Sequence, residues 1–168
     1  MQDELSIWCM PDNFKLDDLD DYPRLNQACF EFIRFHMNDD RAEVDKKGAT
    51  VKQQSRNNEG ALDGSNVYVM GVDWFGGIVY SARNVEIIKE KVPNPYVTVS
   101  GRIDEGVMVM LKEGNTSMKK TIDAIVKFVR TIGFCGVDLN VEGIATFRDD
   151  PSMIPVYTAW CENLAQAL

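Results

Sequence analysis

The chain has 168 residues, 45% hydrophobic and 26% charged, a composition that suits a single soluble globular domain. Its 18 Lys and Arg against 26 Asp and Glu give a net charge of -8, with no basic cluster to offset it; nucleic acid and anionic lipid are therefore not expected partners. No apolar run approaches the ~18 residues of a membrane span, and Met1-Gln2-Asp3-Glu4 does not open a signal peptide, so a secreted form would have lost its leader already.

Leu5 to Met10 is an apolar run suited to a first strand, closed by the turn residues Pro11-Asp12-Asn13. The acidic run with Asp17, Asp18, Asp20 and Asp21 lacks the Gly and terminal Glu of a calcium loop and reads as a solvated helix face. Ala28 to Phe35 is a second strand-like run, and 45–66 is polar and aperiodic, a long loop for a compact domain. The runs 66–70 and 77–80 suit a hairpin across Asp73-Trp74-Phe75-Gly76.

Asn84 is placed to cap a helix over 85–91 that Pro93 and Pro95 stop, and Tyr96 to Ser100 is a β-branched strand ending at Gly101. Met118, Ile122, Ile125, Val126 and Val129 recur at helical spacing, with a cap at Thr116 or Ser117 and a stop at Gly133. Period two over 136–142 gives another strand, and a final helix runs from about Pro155 to Leu168 with Trp160 and Leu164 inward. Strands alternating with helices make an α/β protein with parallel strands.

The strand over 136–142 carries the chemistry. In extended chain Asp138, Asn140 and Glu142 share one face and Val137, Leu139 and Val141 the other. An inner strand of an α/β sheet is normally apolar on both faces, so this is either a solvated edge strand or an acid/base site at a strand's C-terminal end. Cys9, Cys29, Cys135 and Cys161 lack metal or redox spacing, and with His36 the only imidazole no zinc site and no cofactor are expected. Trp74 suits either a sugar-stacking face or the core, and Asn115-Thr116-Ser117 is a glycosylation sequon if the chain is secreted.

Gly133-Phe134-Cys135-Gly136-Val137-Asp138-Leu139-Asn140-Val141-Glu142 resembles the fourth-strand signature of family 18 glycoside hydrolases, GFDGxDxDxE. Val97 to Ile103 resembles a worn form of that family's third-strand motif, and Cys29 to Phe35 sits where its second strand stands. The resemblance implies a partial (β/α)8 TIM-type barrel: about four strand–helix units over 1–168, with an inserted loop or hairpin. A whole barrel needs ~250 residues. It further implies a secreted glycoprotein with a Cys9–Cys29 disulfide and glycosylation at Asn115.

By the same resemblance Glu142 is the general acid, and the ligand's own N-acetyl oxygen the nucleophile. Asn140 stands where the family has a carboxylate that stabilises the cationic intermediate, and Cys135 replaces another acid. Losing one such electrostatic partner typically costs on the order of 10²–10³ in rate. Asp138, Asn140 and Glu142 thus form a vestigial site, and the implied role is binding of an N-acetylglucosamine-containing glycan or a protein partner rather than hydrolysis. Two alternatives stand beside it: a glycosidase fragment active once a second half or chain completes the barrel, and a plain α/β interaction domain. Unpaired edges of a half-barrel also invite a homodimer.

Overall fold

The computed structural model describes residues 5–9, 15–22, 25–35, 65, 67–69, 80–102, 106–143 and 146–168. Strands β1 (Leu5–Cys9), β2 (Leu25–Phe35), β3 (Val67–Val69), β4 (Asn94–Arg102) and β5 (Gly136–Glu142) form one sheet. A 3-10 helix (Leu16–Asp21) links β1 to β2. Helices α1 (Ala82–Lys91), α2 (Met108–Glu113), α3 (Asn115–Ile132), α4 (Thr146–Asp149) and α5 (Met153–Ala167) complete the described elements.

The protein is α/β. Four strands run parallel in the order β1-β2-β4-β5, each beside its predecessor, an order compatible with part of a TIM-like barrel. β3 lies within the expected 66–70 arm, and of the other arm, 77–80, all but Tyr80 lies outside the described residues. β3 pairs antiparallel with β2 at Ile33, Arg34 and Phe35, beyond the stretch of β2 that β1 covers. Because β4 holds the opposite edge of β2 there, β3 continues the β1 edge.

Helix boundaries follow local chemistry. Ser81, not Asn84, caps α1: its hydroxyl accepts from the Asn84 backbone N–H at 3.1 Å. Helix α3 begins at Asn115, ahead of the expected Thr116 or Ser117, and its cap position is Gly114 with no side-chain bond. At the other end Gly133, at φ 85, donates its N–H to Val129 O and closes the helix in the left-handed conformation that suits glycine. Lys89 Nζ donates to Ile132 O at 3.1 Å, placing a cation on that negative helix end.

One core fills the space between the sheet and the helices. Ile122, Ile125, Val126 and Val129 of α3 are buried as their spacing predicts, and Phe128 joins them. Phe32 lies between Phe30 and Phe134, at ring separations of 6.0 and 6.1 Å. Trp160 of α5 is 1% exposed and meets Phe35 edge-on at 5.8 Å, which seats α5 on the end of β2. The acidic 3-10 helix keeps Asp17, Asp20 and Asp21 exposed and buries Leu19, as a solvated face should.

Candidate functional site

The register across β2, β4 and β5 builds a polar sheet face. Glu31, Thr98 and Asp138 are level with one another, and so are Arg34, Ser100 and Asn140. Glu142 is level with Arg102 at the strand end and is exposed. Alternation puts Val97, Val99, Val137, Leu139 and Val141 on the opposite face, against the core.

The bulge between Glu31 and Ile33 explains how β2 contributes two polar residues three apart. The extra residue, Phe32, breaks the period of two, so Glu31 and Arg34 both reach the polar face while Phe30, Phe32, Ile33 and Phe35 are buried. Glu31 is 6% exposed. Its Oε1 accepts from Ser100 Oγ at 2.5 Å and from Arg34 Nε at 2.7 Å, so the buried carboxylate is neutralised and hydrogen-bonded. Two residues back along β4, the buried Thr98 hydroxyl donates to Asp138 Oδ2 at 2.9 Å. Two neighbouring hydroxyls of one strand thus hold carboxylates on the strands to either side.

Gly136 has a steric reason to be glycine. A Cβ there would lie 2.6 Å from the Tyr96 ring, its neighbour across the β4–β5 ladder. Cys135 is exposed at the N-terminal end of β5, beside Pro93 and Asn94, away from the Asp138–Glu142 end.

The expected site residues divide by place. Asp138 and Asn140 are half-buried and Glu142 is exposed, all on the one strand their alternation indicated. Asn115 is exposed at the first position of α3. Trp74, His36 and most of 45–66 lie outside the described residues. Glu31, Arg34, Thr98 and Ser100 build the carboxylate network, and no sequence pattern marks them as its members.

The Cys9–Cys29 bridge implied by the family resemblance is not formed: both are free thiols. In the β1–β2 ladder Cys9 is level with Phe30 and Cys29 with Trp8, so the two thiols are one residue out of register for a cross-strand bridge. Burial pushes the Cys9 thiol up to about 12, with the nearby Cys29 adding to the effect. Burial also raises Cys29, and Asp138 raises it further.

Among the described residues no cluster of three His, Cys, Asp or Glu side chains suits a metal ion, and no helix is long and apolar enough to cross a membrane. A surface hollow lined by Asp123, Lys127, Arg130 and Ala167 lies on the helix layer and shares no residue with the polar face. The chemistry open to that face is hydrogen bonding through hydroxyls, an amide and carboxylates, with Glu142 the most accessible acid. The chain matches no known family model, no curated protein and no solved structure.

Proposed function

We propose that this chain is a chitinase-like protein, a relative of family 18 glycoside hydrolases whose site binds rather than hydrolyses. The observation that carries the proposal is the alignment of Asp138, Asn140 and Glu142 on one face of a parallel strand, beside Thr98 and Ser100, with an amide where that family has a carboxylate. The sequential strand order supports the finer reading of the sheet as part of a (β/α)8 barrel. Asn140 hydrogen-bonds but carries no charge to stabilise a cationic intermediate, so the polar face keeps recognition groups and lacks catalytic electrostatics. Its ligand is a glycan containing N-acetylglucosamine or a protein partner. The same reading makes the protein extracellular and Asn115 a glycan acceptor.

The test is calorimetric titration with chito-oligosaccharides, run beside a hydrolysis assay on the same protein. Binding without turnover, weakened by Glu142→Gln, is the expected result. Turnover by the wild type or by Asn140→Asp would overturn the loss of catalysis. If Glu142→Gln leaves glycan binding unchanged, the polar strand is only a solvated face and the interaction-domain alternative stands.

A further inference from the structure

We propose that β5 is a self-association edge, through which two copies of the chain pair antiparallel about Leu139. This goes beyond the glycan reading and does not depend on it. β5 ends the parallel order, and among the described residues its backbone pairs only with β4. The opposite edge is divided between β1, with five residues, and β3, with three, whereas β5 offers seven in one regular run. A regular unpaired edge is a template for another strand.

The sequence of β5 is complementary to itself in one register. Paired end to end about its midpoint, Gly136 faces the partner's Glu142, Val137 faces the partner's Val141, and Leu139 faces its own copy. Asp138 then faces the partner's Asn140. Directly opposed residues of an antiparallel pair lie on one side of the sheet, so apolar meets apolar over the core while carboxylate meets amide on the polar face. Asp138 can accept from Asn140 as well as from Thr98, since a carboxylate has several acceptor positions. Centring the pair on 138 would oppose Asp138 to its own copy, and centring it on 140 would oppose Asp138 to Glu142. Both set like charges together. Val137, Leu139 and Val141 are only partly buried, which leaves apolar surface for a second copy to cover.

Asn140 is the residue that permits this pairing. A carboxylate at 140 would oppose Asp138 twice in each symmetric dimer, at Cβ separations of roughly 4.5–5.5 Å. The experiment is molar mass by light scattering and sedimentation over a concentration series without ligand, on the wild type, Asn140→Asp and the swap Asp138→Asn/Asn140→Asp. The expected result is a wild-type species of twice 19.0 kDa. Asn140→Asp should raise its dissociation constant by about 5- to 30-fold, and the swap, which again opposes amide to carboxylate, should restore it. Circular dichroism establishes that each variant is folded. A wild type that stays monomeric throughout overturns the proposal. So does a dimer indifferent to Asn140→Asp, or a loss that the swap fails to repair. Glycan binding is not read in this experiment, so its failure and the failure of the glycan reading are distinguishable.

Discussion

Thr98 donates a hydrogen bond of 2.9 Å to Asp138, and through it a buried hydroxyl on β4 fixes the first carboxylate of the β5 polar row. Thr98→Val removes the donor at nearly constant volume and leaves Asp138 without that partner. Bonds to charged groups are worth ~1.5–3 kcal/mol, and Asp138 is half-buried, so a loss of about 1.5–2 kcal/mol in urea unfolding is expected. Thr98→Ser, which keeps the hydroxyl, should lose less. Equal losses in the two variants would mean that the bond contributes nothing and packing alone is read.

Much of this architecture is legible in the sequence because it rests on local patterns. The α3 stripe and Gly133 specify a helix and its end, and strict alternation over 136–142 specifies β5 and its polar face. Glu31 and Arg34 escape such reading. They sit three apart in a run of Phe and Ile, and only the bulge at Phe32 puts them on one face. A bulge is set by pairing with β4, a long-range contact that no periodicity reports. The same limit applies to β3, whose antiparallel pairing with β2 is likewise a long-range contact. The cap of α1 is not decided by sequence, because Ser81 and Asn84 are both good capping residues and only backbone geometry chooses between them.

The Glu31–Arg34–Ser100 cluster should behave as a coupled unit. Arg34→Met leaves a buried carboxylate with one fewer charged partner. The Arg34 side chain is 43% exposed, so solvent screens the pair and the cost should be about 1–2 kcal/mol, below that of a fully buried ion pair. Glu31→Gln should recover part of it, since an amide still accepts from Ser100 and carries no unpaired charge. A double-mutant cycle in urea checks this; additivity of the two changes would show that they do not interact.

Gly136→Ala tests the close approach of Tyr96. With a Cβ 2.6 Å from the ring, the tyrosine must swing or the strand must shift, at a cost typical of overpacking, ~1–3 kcal/mol. Combining it with Tyr96→Ala removes the obstruction. The double variant should then be more stable than the sum of the single changes predicts. Thermal unfolding of the four proteins decides it, and simple additivity would show that the ring is not what excludes a side chain at 136.

The buried thiols link the stability of the fold to alkaline pH. Cys9 is buried and its thiol is pushed up to about 12 from the ordinary thiol value of 9.0, first by desolvation and then by Cys29. Cys29 and Cys161 are raised in the same direction. Below pH 9 these groups are protonated in both folded and unfolded chains and have no pH-dependent effect. As pH rises above 9 the unfolded chain releases its Cys9 proton while the folded chain holds it, so stability falls until the folded thiol ionises near 12. The slope from one such group is at most about 1.4 kcal/mol per pH unit. Urea unfolding of the reduced protein between pH 8 and about 10.5 should therefore show a steeper decline than the Cys9→Ala variant. Equal slopes would remove Cys9 as a source of the pH dependence. Thiol counting on unreduced protein in denaturant gives the companion result: four free groups are expected from this structure, whereas two would mean that Cys9 and Cys29 are joined and β1 has shifted against β2 to allow it.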